Sequence, residues 1–402
     1  MNTVIHNTAT ASLINSLECS SCGKSYSAFE FHKLSACCHM PLLANYDLKE
    51  PLDKATLYSR PGTMWRYREL LPVLGEENIV SLGEGFTPIL SLQALAGKYG
   101  FKELLLKDEG QNPTGSFKAR GLSMAVSKAK EFGQEGCIIP TAGNAGVALA
   151  AYCARAGMKA VVVMPRHTPK AFREECLWYG AEVHLVDGLI NDCAAKAGEL
   201  NADGFLLDVS TLKEPYRLEG KKTMGYEITE QLDWQLPDVI LYPAGGGTGL
   251  IGIWKAFREL KAIGWLPAEA KLPRMVAVQA ENCKPLVETF FGRQQSARDY
   301  VGKPTIANGL AVPRPIGEQL MLKTLSQSEG TAISITEEEM VLGMQELGKS
   351  EGFFVAPEGA ALWIVARKML ASGYILPQEQ VLLLNTGSGQ KYMDNVEGKY
   401  KV

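Results

Sequence analysis

Residues 136–165 read GCIIPTAGNAGVALAAYCARAGMKAVVVMP. Two short apolar runs, at 136–142 and 159–165, flank a longer segment, 145–157, whose small and apolar residues recur at helical spacing. Short apolar runs that feed loops are the pattern of parallel strands buried on both faces. The unit is therefore strand, helix, strand. It continues through a helix at 169–180 (PKAFREECLWYG) and a strand at 181–187 (AEVHLVD). A second stretch repeats it. DVILYPA (238–244) precedes a glycine loop and the helix GLIGIWKAFREL (249–260), and RMVAVQAE and QVLLLNTG supply further buried strands. This alternation predicts an α/β protein: two α/β domains with mainly parallel sheets flanked by helices, and a cleft between them. The expected division is a small N-terminal ribbon over 1–50, a large domain from 51–115 and 216–402, and a small α/β domain over 116–215.

The 402 residues are 46% hydrophobic and 21% charged, enough apolar material for a sizeable core. A net charge of −3 gives no footprint for nucleic acid or an anionic membrane. No apolar run reaches the ~18 residues that span a bilayer. The opening MNTVIHNTATASL lacks a basic, then apolar, leader pattern. Nine cysteines are spread over the chain. Cys137, Cys153, Cys176, Cys193 and Cys283 sit in apolar contexts, as buried free thiols in a reducing compartment do. The expectation is a cytoplasmic protein.

The first fifty residues follow another pattern. CSSCG (19–23) is a Cys-x-x-Cys knuckle, and ACCHMP (36–41) follows it. This is half of a zinc-ribbon pattern, with Ser35 in the place of a third ligand and Cys37 adjacent to Cys38. Cys19, Cys22, Cys37 and Cys38, with His39 as a substitute ligand, are the candidate donors for one structural zinc. A metal-free remnant held by packing is the other reading.

Four loops carry chemistry. NPTGSFKARG (112–121) places Lys118 where a Pro-Thr-Gly turn leads to a helix read over 121–133. Lysine is ordinarily a solvated surface charge. Held in a loop-to-helix entry, it can lose its proton and attack a carbonyl. PAGGGTGLIG (243–252) joins a buried strand to a helix through Gly245, Gly246, Gly247, Thr248 and Gly249, and its backbone N–H groups suit a phosphate. The same loop fits a dinucleotide fingerprint through Gly247, Gly249 and Gly252, with Glu281 as ribose ligand, but that reading leaves Lys118 unexplained. PTAGNAG (140–146) offers the turn Thr141, Ala142, Gly143, Asn144 and Ala145 to a carboxylate. NTGSGQK (385–391) offers Thr386 to a ring nitrogen. A lysine for a Schiff base, a phosphate cradle, a carboxylate turn and a hydroxyl for a heterocycle are the parts that pyridoxal 5'-phosphate requires.

With these motifs in order, the chain resembles the fold-type II pyridoxal-phosphate enzymes, and among them the threonine synthase group. LGEGFTPIL (82–90), YRLEGKKTMGYEI (216–228) and NTGSGQKY (385–392) extend the resemblance over nearly the whole chain. It implies that Lys118 carries the cofactor, Asn144 bonds its ring hydroxyl, residues 245–249 hold its phosphate and Thr386 meets its pyridine nitrogen. It implies elimination or replacement on an amino acid substrate, threonine synthase first, and a homodimer as the assembly. The chain departs from the group at the substrate side. Ala142 and Ala145 stand where hydroxyl residues are usual, Phe86 and Glu214 where Asn is usual, and Ala119 where Asp is usual. A carboxylate beside a phosphate dianion is repulsive. Those departures keep a second reading open: β-elimination, as in an ammonia-lyase or dehydratase, or β-replacement as in a cysteate synthase, on a smaller amino acid.

Overall fold

A computed structural model describes residues 12–49, 52–188 and 190–398. The opening segment 1–13, read as lacking a leader pattern, falls outside these residues up to position 11, as does the boundary drawn at residues 50–51. Three antiparallel strands come first, β1 (Ile14–Cys19), β2 (Ser25–Ser27) and β3 (Leu42–Tyr46), in the order β2-β1-β3. Their inner faces bury Ile14, Leu17, Leu42, Ala44 and Tyr46 in a small core of their own. Short 3-10 turns lead to β4 (Ile89–Ser91), α1 (Gln93–Tyr99) and β5 (Glu103–Asp108).

The βα alternation then runs through α2 (Lys118–Glu131), β6 (Gly136–Pro140), α3 (Asn144–Ala156), β7 (Lys159–Pro165), α4 (Lys170–Trp178), β8 (Glu182–Val186), α5 (Ile190–Leu200) and β9 (Leu206–Asp208). Strands β6 to β9 form a four-stranded parallel sheet in the order β8-β7-β6-β9. The remaining elements are α6 (Tyr216–Gln231), β10 (Val239–Pro243), α7 (Thr248–Ala262), β11 (Arg274–Ala280), α8 (Pro285–Phe290), α9 (Glu318–Gln327), β12 (Thr331–Ile335), α10 (Glu337–Glu351), α11 (Pro357–Ala371), β13 (Gln380–Asn385) and α12 (Met393–Val396). A six-stranded sheet runs β12-β11-β10-β13-β5-β4, with only the edge pair β4–β5 antiparallel. The α/β architecture with mainly parallel sheets is thus present twice. Among the described residues no helix is long and apolar enough to cross a membrane.

Helix α2 begins three residues before the span expected from sequence, so that Lys118 is its first residue. Apolar spacing alone could not place that start, because Ala119 and Arg120 are both buried, one apolar and one charged. Arg120 is fully buried because it is fully paired. Its guanidinium meets Glu109 at 2.6 Å and 2.7 Å, and Glu227 of α6 at 2.7 Å. Lys107 of β5 joins the same Glu227 at 3.0 Å. This network ties the start of α2 to α6 and to the large sheet.

Candidate active site

In parallel sheets the loops after the strands' carboxyl ends converge, and ligands bind there. Five such loops meet here around a cavity of about 290 Å³. After β5 comes Lys118, after β6 the Thr141–Ala145 turn, after β9 Arg217, after β10 the glycine loop and after β13 Thr386. Strands of both sheets therefore contribute to one site.

The 114–118 segment is fixed by its neighbours. Thr114 and Gly115 take left-handed φ values of 61° and 65°. Phe117 N–H donates to Thr386 O at 3.1 Å and Ser388 N–H to Gly115 O at 2.9 Å, which sets Lys118 beside Thr386. The Lys118 Nζ lies 4.1 Å from the Phe117 ring centroid. Burial drives its pKa down to about 7; the Arg217 charge adds to this and Glu358 opposes it. A lysine so placed is a nucleophile near neutral pH.

Gly245, Gly246, Gly247 and Thr248 line the cavity. Gly247 caps α7 at φ 79°, in the region that favours glycine. Gly249 does not line it: it lies in the first turn of α7, where a Cβ would collide with the Tyr242 hydroxyl. The part of the loop that lines the cavity is 245–248. The dinucleotide reading finds no support. Glu281 is not among the lining residues and is engaged by Lys284 and Ser334.

Thr141, Ala142, Gly143, Asn144 and Ala145 also line the cavity, at the N-terminus of α3. The Asn144 amide donates to the Tyr392 hydroxyl at 3.2 Å, and its Oδ1 is buried with no partner among the described residues. Thr386 is 7% exposed and faces the same space.

Three charged residues complete the site, and sequence reasoning passed over two of them, Arg217 and Glu358; Lys221, with Lys222, is a cation that the sequence already offers to a substrate phosphate. Arg217 and Lys221 lie within the first two turns of α6 and are buried. The Arg217 Nη1 donates to Val209 O and to Thr211 Oγ1, while its Nε has no partner among the described residues. Burial, then the charges of Arg217 and Lys118, hold the Lys221 pKa well below its ordinary value; its amine donates to Thr248 Oγ1 at 2.7 Å. Glu358, the second residue of α11, is the third. The signal for the first two was in YRLEGKKT, since cations at the start of a helix oppose its dipole and need another reason to be there.

Glu214 was expected to repel a bound phosphate. It does not line the cavity. Its carboxylate accepts from Tyr216 N–H at 2.6 Å and from Arg217 N–H at 3.0 Å, capping α6. Burial raises its pKa to about 7 against the pull of Arg217 and those N–H groups. Of the other departures, Ala119 is fully buried in the core of the small sheet, and the Phe86 ring lies 4.4 Å from the Arg66 guanidinium carbon.

The lining cations are Lys118, Lys213, Arg217, Lys221 and Arg314, against one carboxylate, Glu358. Arg314 is exposed and Lys213 half-buried, but Arg217 and Lys221 are buried, and buried like charges are costly without a counterion. An orphaned guanidinium N–H, a glycine cradle at a helix N-terminus and a lysine of low pKa fit a phosphate-bearing aldehyde.

Comparison with known proteins agrees. The profile of the family "Pyridoxal-phosphate dependent enzyme" matches residues 80–387. The threonine synthase of Methanocaldococcus jannaschii is 36% identical over 94% of this chain and 93% of its own length. That of Methanosarcina acetivorans is 35% identical over 92% and 91%. The structure of holo diaminopropionate ammonia lyase from Escherichia coli superposes with a TM-score of 0.67 at 19% identity, covering 80% of this chain and 90% of that one, a likeness of fold. The chain belongs to the pyridoxal-phosphate dependent enzymes and, within them, to the threonine synthase group. Its cofactor is pyridoxal phosphate and its chemistry that of a lyase.

The ribbon cysteines are also brought together. The sulfurs of Cys19, Cys22, Cys37 and Cys38 lie within 4.8 Å of one another. His39 is not in that group. The Ser35 hydroxyl instead receives the Cys19 thiol at 3.3 Å and Met40 N–H at 3.1 Å. The five cysteines read as buried are buried.

Proposed function

We propose that this cavity converts O-phospho-L-homoserine and water to L-threonine and phosphate. The observation that carries the reading is the excess of basic groups, Lys118 with the buried Arg217 and Lys221, against Glu358: a cofactor phosphate would take the glycine loop, and Arg217 and Lys221 would remain for a second anion. The relatives named as threonine synthases support it. Bound pyridoxal phosphate supplies an aldehyde for the amine and an electron-withdrawing ring that acidifies the substrate's carbon–hydrogen bonds.

The chain's own residues do the rest. Lys118 would hold the cofactor through its amine, and that amine is the base placed to carry the Cα proton. Gly245 to Thr248 and the N-terminus of α7 hold the cofactor phosphate. Asn144 would bond the ring hydroxyl and Thr386 the pyridine nitrogen; a neutral hydroxyl there would favour elimination over transamination. Thr141 to Ala145 at the start of α3 bind the substrate carboxylate. Arg217 and Lys221 bind its phosphate and supply the positive charge that Ala142 and Ala145 cannot.

The test is product analysis with O-phospho-L-homoserine, L-serine, L-threonine and 2,3-diaminopropionate. Threonine and phosphate in equal amounts support the reading. A keto acid from a smaller amino acid, with no phosphate from the first substrate, replaces it with β-elimination, to which the methyl groups of Ala142 and Ala145 would be suited.

A structural zinc on Cys19, Cys22, Cys37 and Cys38 is part of the proposal, since four thiolates at this separation are a closed tetrahedral donor set. Elemental analysis of protein purified without chelators should give about one zinc per chain. A trace only would leave the ribbon to its apolar core. The protein is expected to work as a homodimer in the cytoplasm, and its mass in solution tests the first of these.

A further inference from the structure

Glu358 is the one carboxylate among the lining residues, and the proposed function leaves it unused. It follows Pro357 at the start of α11, and its side chain is 3% exposed. Its Oε1 accepts from Gly309 N–H at 2.7 Å and from the Tyr392 hydroxyl at 3.0 Å. Its Oε2 is buried with no partner among the described residues. A carboxylate oxygen left so is expensive unless a ligand meets it. One half of the carboxylate is therefore clamped, from the 308–310 turn and from the turn after β13, and the other half is left without a partner in the wall of a cavity that Lys118 also lines. The groups facing it are Lys118 from α2, Tyr392, and the backbone N–H groups of Gly309 and of α11 itself. Burial raises its pKa against the pull of all of these.

We propose that Glu358 is a second proton carrier of this site, exchanging a proton through Oε2 with Cβ of the bound amino acid while Lys118 serves Cα. The inference rests on the proposed reaction. Conversion of O-phospho-L-homoserine to threonine removes one hydrogen from Cβ and adds one to Cγ. The Cβ–H bond breaks, an O–H bond forms on Oε2, and the electron pair left on the substrate expels phosphate with the Cγ–O bonding pair. The proton on Oε2 then passes to Cγ and completes the methyl group. Water gives its hydroxyl to Cβ and its proton to the departing phosphate, so atoms and charge balance. Lys118 remains free for the Cα proton throughout.

The test is hydrogen exchange in D2O, followed by NMR, with holoenzyme and L-2-aminobutyrate, an analogue with no leaving group. Wild-type enzyme should exchange both Cα and Cβ hydrogens. Glu358→Gln keeps the acceptor for Gly309 and Tyr392. It should keep the cofactor absorbance and the Cα exchange while Cβ exchange falls by about a hundredfold or more. Cβ exchange that stays in step with Cα exchange overturns the proposal, as does a wild-type enzyme that exchanges Cα alone. If the Gln variant loses cofactor, Glu358→Asp is used instead; retained cofactor with selective loss of Cβ exchange supports the same role. Exchange at both positions in an enzyme that releases no phosphate from O-phospho-L-homoserine leaves Glu358 in place and removes the threonine reading.

Discussion

Arg217 and Lys221 are the residues on which substrate choice is expected to turn. Each is buried and each lines the cavity, whose one lining carboxylate, Glu358, bonds Gly309 and Tyr392 instead. A charge-assisted hydrogen bond contributes roughly 1.5–3 kcal/mol, so Arg217→Ala or Lys221→Ala should raise KM for O-phospho-L-homoserine by about tenfold to a hundredfold, measured by phosphate release. An unchanged KM would place the substrate phosphate elsewhere. Among the glycines the positions differ. A Cβ on Gly246 would meet only the side chain of Thr211, at 2.8 Å, and that side chain can turn away. A Cβ on Gly245 would meet the backbone oxygen of Gly309, which cannot. Gly246→Val should therefore fold and lose the cofactor, read as loss of its visible absorbance, whereas Gly245→Val should fail to fold stably.

Helix α6 and the first turn of α2 hold these residues in place, and their own anchor is ionic. Arg120 is buried between Glu109 and Glu227, and breaking such a pair by removing one partner costs about 3–5 kcal/mol. Arg120→Met should lower stability by about that much in denaturant titration, because two carboxylates are left buried. Burial pushes the Glu227 pKa up, but Arg120 and Lys107 outweigh it and hold it at about 2, below the ordinary 4.5. A depressed carboxyl stabilises the fold above its unfolded-state pKa. That contribution is lost as pH falls from about 4.5 towards 2, and Glu227→Gln should flatten the loss. The strands and helices from β6 to β8 were legible in the sequence because buried parallel strands are short apolar runs. Strand β9, three residues long, and the charged start of α2 were not, because tertiary pairing rather than local pattern makes them. Lys118, Asn144, Thr386 and the glycine loop were legible because each sits in a turn with a chemical signature. Arg217 and Glu358 sit in helices, where a charged residue reads as a solvated face, and only the fold turns them inward; Lys221 and Lys222 were both legible as cations, and the fold turns Lys221 to the cavity while Lys222 pairs with Glu219. Glu214 lies just ahead of α6, and sequence gives its sign and not its direction: its carboxylate turns to the Tyr216 and Arg217 N–H groups.

The molecule joins three pieces around one cavity. The two sheets supply the loops, and the ribbon is fastened to the back of α6. Tyr46 of β3 donates to Glu219 at 2.7 Å, and the Lys222 ammonium lies 4.0 Å from its ring. The same helix presents Arg217 and Lys221 to the cavity. The central claim is that this assembly breaks the carbon–oxygen bond of a phosphorylated amino acid and adds water to carbon. Reaction of the holoenzyme with O-phospho-L-homoserine in 18O-labelled water tests it directly. The label should appear in the threonine hydroxyl and be absent from the phosphate released; label in the phosphate, with homoserine as the product, would show cleavage at phosphorus and contradict the account.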